Sequence, residues 1–529
     1  MSATIAPTLA AVPAGLAKPV NKWAVAMAVA LGALLEIIDT SIVNVALTEM
    51  QNSLGATLSE VSWVVSSYAV ANVIILPLTA WLGHRFGKKR YFIFSLVGFT
   101  IASALCGFAT TLPMLIVARI LQGLAGGGLL AKAQAILFET FPPEEQAMAQ
   151  GFFGAIVIAG PAIGPTLGGY LVTNVDWRWI FFINLPIGVF AVFMCLSALP
   201  QDGARATTKQ PIDWLAILFL ATGLGALQTL LEEGNSDDWF ESQFIVVMAV
   251  MAAVGLVAFV WRELKSEHPV VDLRVLRYRS LWAGSILSVI VGMALYGALF
   301  AVPIFAQGIL HYTSQQTGML LLPGALASAL AMPIAAKILG KADARIVLAG
   351  GAIVLITALH LLAGLSPQTG EHDLFWPLII RAFGTVFMFL PLNMATLGPI
   401  PKKDVAAAAG FFNLTRQLGG SIGVALLTTL LTQRQAFHRA VLVEKLVPDA
   451  AMTLDRVGAL TYGLVARGLP LAEARTKALA LLDGMVNQQA AVMSFGDTFW
   501  ATAALIVIFF PLIFILGKAK PGAGMAVGH

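Results

Sequence analysis

The stretch Leu34-Leu35-Glu36-Ile37-Ile38-Asp39-Thr40 sets two carboxylates in the middle of the first of about fourteen apolar segments of membrane length. An ionised carboxylate at the centre of a bilayer costs roughly 2.5–3.5 kcal/mol even on lenient insertion scales, so such a group is seldom idle. Glu36 and Asp39 are three residues apart and share one face of a helix. That face has to look into protein or water. The economical reading is a proton-carrying site inside a transporter.

The composition agrees. The chain has 529 residues, 58% of them hydrophobic and 11% charged, with a mean hydropathy of +0.84. A soluble domain carries about 25% charge, so this is a polytopic membrane protein. The net charge is only +4 and the basic residues form no nucleic-acid patch. The two cysteines, Cys106 and Cys195, lie in apolar segments near opposite faces and are expected to be unpaired. No cleavable signal is evident, and Trp23 onward reads as a signal anchor.

With about 20 apolar residues needed per crossing, the spans are 23–47, 60–82, 91–109, 113–138, 148–171, 179–199, 212–232, 242–261, 281–307, 314–336, 345–365, 374–397, 405–432 and 498–517. With the N-terminus in the cytoplasm, twenty Lys and Arg fall on the inner side: Lys18 and Lys22, Arg85 to Arg90, Arg205 and Lys209, Arg262 to Arg279, Lys337 to Arg345, Lys402 and Lys403, Lys518 and Lys520. The short outer loops hold one, Arg178. That asymmetry predicts both termini cytoplasmic. The outer loop Glu232–Glu241 is acidic, and the one long loop, Gln433–Asp497, carries apolar positions at helical spacing. It reads equally as surface helices resting on the outer mouth or as a docking element.

A weak internal repeat relates Pro77…Gly83 to Pro333…Gly340 and Arg119…Gly123 to Arg381…Gly384. It predicts two halves. The domains expected are a tail, 1–22; a six-helix half, 23–200; an inserted hairpin, 211–262; a second six-helix half, 281–432 with 498–517; an outer helical loop, 433–497; and a tail, 518–529.

Five motifs carry a resemblance: Asp39-Thr40-Ser41-Ile42-Val43-Asn44-Val45-Ala46-Leu47; Gly83-His84-Arg85-Phe86-Gly87-Lys88-Lys89-Arg90; Arg119-Ile120-Leu121-Gln122-Gly123; Gly160-Pro161-Ala162-Ile163-Gly164-Pro165-Thr166-Leu167-Gly168-Gly169; and Trp177 to Gly188. In this order, the chain resembles the major facilitator superfamily in its fourteen-helix drug:proton antiporter branch, the EmrB/QacA type, over essentially its whole length. The resemblance implies an all-α membrane fold and proton coupling through Glu36, Asp39 and Arg119. It implies a cargo cavity with Thr40, Asn44, Gln122, Tyr296, Arg381, Asn413 and Arg416. Conformational motifs fall at Gly83, Arg85, Gly87, Lys88, Gly160, Pro161, Gly164, Pro165, Gly168 and Gly169. His84 stands where the family has an aspartate that helps latch the inner face. The position of the long outer loop is similar to EmrB-type pumps, which implies a periplasmic adaptor and a TolC-type outer-membrane channel. Lys132, near the inner end of the fourth span, is expected to snorkel to the surface.

No Walker-type loop and no histidine or cysteine cluster is present. No cofactor beyond the proton gradient, no metal, no catalysis and no nucleic-acid partner are expected. The leading reading is an inner-membrane exporter of amphipathic or aromatic compounds. Export of an endogenous lipid, siderophore or metabolite is the alternative, and a non-transporting sensor or scaffold is the contrasting one. A scaffold has no use for three costly intramembrane charges.

Overall fold

A computed structural model describes residues 21–202, 212–447 and 450–516, with the side chains of 58, 159, 162, 295–300 and 314 outside the description. Lys18, Arg205, Lys209, Lys518, Lys520 and the two predicted tails up to residue 20 and from residue 517 lie outside the described residues.

The described chain is helical throughout. The N-terminal half comprises α1 (Lys22–Leu54), α2 (Leu58–Ile75) running through a 3₁₀ turn at Leu76–Leu78 into α3 (Thr79–Phe86), α4 (Lys88–Gly107), α5 (Leu112–Gly126), α6 (Leu129–Thr140), α7 (Pro143–Asn174), α8 (Trp179–Phe182) and α9 (Asn184–Ala198). The inserted pair is α10 (Trp214–Glu233) and α11 (Gln243–Lys265). The C-terminal half comprises α12 (Arg279–Gly308), α13 (Ser314–Leu339), α14 (Ala344–Ala363), α15 (Glu371–Leu397), α16 (Val405–Lys445), α17 (Ala451–Val465) and α18 (Leu471–Phe509). Among the described residues, 12 helical stretches are long and apolar enough to cross a membrane. The two remaining predicted spans fall on α12, of 30 residues, and α16, of 41 residues.

The halves meet along α7 and α13. Their contact is close because Gly151 faces Met332 and Ala336 near one end, and Gly318 faces Thr166 near the other. Within the N-terminal half, Gly160, Gly164 and Gly168 of α7 form a strip without side chains. A Cβ on them would meet Ile37, Ser41 and Ile42 of α1 at 2.5, 1.9 and 2.7 Å. The strip therefore fixes how near α7 comes to the helix carrying Glu36 and Asp39. Pro161 and Pro165 stand inside α7 without ending it, and Gly169 is buried.

The face carrying the basic loops is the one where hydrogen bonds tie the halves together. Gln134 of α6 donates to Asn393 of α15 at 2.6 Å and accepts from Asn413 of α16 at 2.7 Å. Lys402 donates to the Glu139 carbonyl at 3.2 Å. Gly87 adopts φ +90°, where a Cβ would strike Asp202, and Asp202 accepts from the N–H groups of Lys89 and Arg90.

Two features depart from the sequence expectation. Glu232 and Glu233 do not sit in an exposed acidic loop. They close α10, which packs against α2 and α16 and so touches both halves. Ser66 of α2 donates to Glu233 at 2.5 Å, and Gln228 pairs with Ser421 of α16 at 2.8 Å. The partner helix α11 is the peripheral one, with Val254 and Val257 64% and 71% exposed. The long loop is largely not a separate helix pair. α16 continues past the bundle to Lys445, and α18 begins at Leu471 and runs straight into the last span. At 1.5 Å per residue, the extension of α18 before Asp497 reaches about 40 Å. α17 packs on it, and Arg439 links the two extensions through Asn487 and Asp483.

Cysteines placed at Val254 or Val257 in a chain whose buried Cys106 and Cys195 are replaced should resist a membrane-impermeant maleimide. Cysteines at Thr40 or Asn44, exposed on α1, should react. Equal labelling of the two sets would overturn the lipid-facing placement of α11.

Candidate functional site

The deepest polar cluster forms around Asp39, which is fully buried. Arg119 of α5 donates from Nη1 to Asp39 Oδ2 at 2.5 Å. Gln122, one turn on, donates to Asp39 Oδ1 at 2.8 Å, and Asn184 at the start of α9 donates to the same oxygen at 3.0 Å. Three side chains from two helices thus converge on one carboxylate. The guanidinium is equally well held. Its Nε donates to the Val64 carbonyl of α2 at 2.9 Å, Nη1 also reaches Gln122 Oε1 at 2.7 Å, and Tyr68 lies 4.2 Å below its plane. Gly123 makes this possible. A Cβ there would meet the Tyr68 carbonyl at 2.6 Å, so α5 can close on α2 only without one.

Glu36 does not join this cluster. It accepts from Asn72 Nδ2 of α2 at 2.8 Å and from the backbone N–H of Leu130 at 2.8 Å. The second bond depends on a break in the fourth span. α5 stops at Gly126, and Gly128 turns with φ +78°, where a Cβ would collide with Thr79. α6 then restarts with its N-terminus aimed at Glu36. Free N–H groups and the positive end of the helix dipole suit a carboxylate. The sequence reading placed one continuous helix over 113–138, and the run Gly126-Gly127-Gly128 was the overlooked signal.

The remaining predicted residues divide. Thr40 and Asn44 are exposed on α1. Asn413 and Arg416 belong to the tie between the halves: Arg416 donates to Asn413 Oδ1 and lies over the Phe389 ring. Arg381 is 8% exposed, and its Nε has no hydrogen-bond partner among the described residues. The side chain of Tyr296 lies outside the described residues. Gly83 is buried; Arg85 rests over Trp81, and Lys88 pairs with Glu139 at 2.6 Å. His84 lines an interlobe cleft of about 310 Å³ together with Arg85, Asp272, Lys403 and Asp404. Asp404, on the C-terminal half, accepts from Tyr278 at 2.7 Å. Asn72, Asn184 and Ser103, which accepts from Asn184 at 3.0 Å, were not singled out by the sequence, although each is a buried amide or hydroxyl in an apolar run. Among the described residues, no group of His, Cys, Asp and Glu could hold a metal.

The buried carboxylate–guanidinium pair lies inside the first of two helical halves. The family model for the Major Facilitator Superfamily matches residues 29–424. The chain belongs to the major facilitator superfamily. It is 32% identical over 503 residues to the multidrug export protein EmrB of Escherichia coli K12, covering 95% of this chain and 96% of that one. It is 30% identical to the fatty acid resistance protein FarB of Neisseria gonorrhoeae, covering 94% and 96%. Among solved structures, the proton:xylose symporter XylE matches with a TM-score of 0.57 at 12% identity, covering 93% and 96%. This is a multi-pass membrane transporter of the EmrB-like kind, not an enzyme.

Removing one member of a buried ion pair costs about 3–5 kcal/mol, because the other is left uncompensated. Arg119→Gln should therefore lower the thermal midpoint in detergent strongly. Asp39→Asn combined with Arg119→Gln should recover part of the loss. Simple additivity of the two single changes in this cycle would show that the pair is not energetically coupled.

Proposed function

We propose that the protein is a proton-driven exporter of amphipathic or aromatic organic compounds in a bacterial inner membrane, with Glu36, Asp39 and Arg119 coupling proton entry to cargo exit. The observation that carries this is the Asp39–Arg119 pair. A carboxylate buried on a guanidinium has two stable states: paired and ionised, or parted and protonated. Movement of α1 against α5 as the halves rock converts one into the other, so that a proton replaces Arg119 as the partner of Asp39. Gln122 and Asn184 hold the carboxylate in place through the exchange.

Cargo enters the midplane cleft beside the exposed Thr40 and Asn44, with Gln122, Tyr296, Arg381, Asn413 and Arg416 as the polar groups assigned to its wall. The tie of Gln134 to Asn393 and Asn413 has to open for loading from the basic face, which is taken as cytoplasmic. Gly83, Arg85, Gly87 and Lys88 hinge that face. The glycines and prolines of α7 let α1 slide. The similarity to proteins named for multidrug export and for fatty acid resistance supports an apolar cargo. The long extensions of α16 and α18 stand where a periplasmic adaptor would seat, with a TolC-type channel beyond it.

In proteoliposomes, Asp39→Asn should abolish gradient-driven efflux at normal protein yield. Full gradient-driven transport by this variant would falsify the coupling role. In cells with the adaptor present, replacing 433–497, which holds both extensions and α17, by a short Gly/Ser turn should spare insertion but lose drug resistance, and unchanged resistance would remove the docking role of the extensions.

A further inference from the structure

Lys132 is the one intramembrane charge of the N-terminal half that the coupling scheme leaves unused. Its position near the end of the span suggests a side chain reaching for the surface. The structure turns it inward instead. Lys132 is 8% exposed, donates to Ser95 Oγ at 2.7 Å and lies 3.9 Å from the Tyr91 ring centre, both on α4. No carboxylate forms an ion pair with it among the described residues. An uncompensated buried ammonium is costly, and two neighbours reduce that cost. The aromatic face of Tyr91 is one. The other is Glu36, which is seated at the break in the fourth span where the helix carrying Lys132 begins. The N–H that holds Glu36 belongs to Leu130, two residues before Lys132.

On its other side, Lys132 opens onto a cleft walled by Thr79, Gly83, Lys88, Tyr91 and Glu139. Lys88 and Glu139 form the partly exposed pair at the basic face. The cleft offers about 30 Å³ to water, and roughly 10–15 Å³ is enough for each molecule. The cleft thus has room for about two waters between walls that include both the amine and the surface pair. The charged and titratable groups around this route are Glu36 on α1, Lys88 and Tyr91 on α4, Glu139 on α6 and, beyond Glu36, Arg416 on α16.

We infer that Lys132 is a proton relay between Glu36 and the cytoplasmic face. Through one bridging water, the Glu36 carboxylic acid gives up a proton and the lone pair of the neutral amine takes one. This leaves a carboxylate held by Asn72 and the Leu130 N–H, and an ammonium held by Ser95 and Tyr91. The ammonium then gives that proton to water in the cleft and returns to the amine. One proton moves inward, and nothing else is consumed. The inference rests on the reading of the chain as a proton-driven exporter, but it can be tested without cargo. Arginine is the decisive substitution, since a guanidinium keeps the charge and does not deprotonate.

The test uses the full-length protein in proteoliposomes sorted to present the cytoplasmic face outward. The infrared carbonyl band of protonated Glu36, assigned by its absence in Glu36→Gln, is followed after a rapid rise in outside pH. In Lys132→Arg and Lys132→Met the band should decay at least about tenfold more slowly than in the wild type, within the range by which positioned acid–base groups speed proton transfer. Lys132→Arg should keep the wild-type thermal midpoint. Decay of Lys132→Arg at the wild-type rate, or absence of any titrating Glu36 band in the wild type, overturns the relay. Failure of the export reading shows separately, as absence of gradient-driven cargo flux in wild-type vesicles whose Glu36 band still responds to Lys132 substitution.

Discussion

The Asp39–Arg119 pair is the constraint around which the N-terminal half is built. Taking both ions out of water costs several kcal/mol each, which only close pairing and full hydrogen bonding offset. Each surrounding feature serves that condition. Gly123 lets α5 press on α2 until the Val64 carbonyl meets Arg119. Asn184 brings α9 to the second carboxylate oxygen, and Ser103 fixes Asn184. The glycine strip of α7 sets the height of α1 against its neighbour. A shift of α1 large enough to part the pair disturbs all four helices together.

Glu36 sits three residues away in a different solution to the same problem. It is held by N–H donors alone, one of them at a helix start created by Gly127 and Gly128. Two carboxylates on one helix face thus have different partners, one a permanent cation and the other a broken helix. Carboxylates separated in this way can exchange protons at different points of one cycle, whereas two sharing a single site would titrate as a pair.

Much of this was legible in the sequence, and the limits are physical. Hydropathy and loop charge locate all fourteen helices, because a membrane span needs about 20 apolar residues and little else. The Asp39–Arg119 meeting follows from the cost of leaving either alone. The position of Glu36 was not legible, since its partner is a backbone N–H exposed by a break, and Gly126-Gly127-Gly128 reads as packing as easily as a kink. The direction of Lys132 was not legible either. A lysine near a span end has two ways to go, and the hydroxyl of Ser95 and the ring of Tyr91 that decide between them lie on another helix. The place of α10 between the halves was missed because Ser66 and Ser421 are single hydroxyls with no pattern.

The halves are unequal in charge, and this bears on how they work together. Apart from Glu60 at the very end of the second span, the spans of the N-terminal half hold Glu36, Asp39, Arg119 and Lys132, two of each sign. The spans 281–307, 314–336, 345–365, 374–397, 405–432 and 498–517 hold Arg381 and Arg416 within the bundle and no carboxylate beyond the far-end residues before Leu374. Arg416 stands at the seam, where it donates to Asn413, and Asn413 in turn donates to Gln134 of the other half. The polar groups of the C-terminal half are thus engaged in the tie between the halves. The carboxylates of the N-terminal half are held within it, Asp39 by Arg119 and Glu36 by Asn72 and the Leu130 N–H.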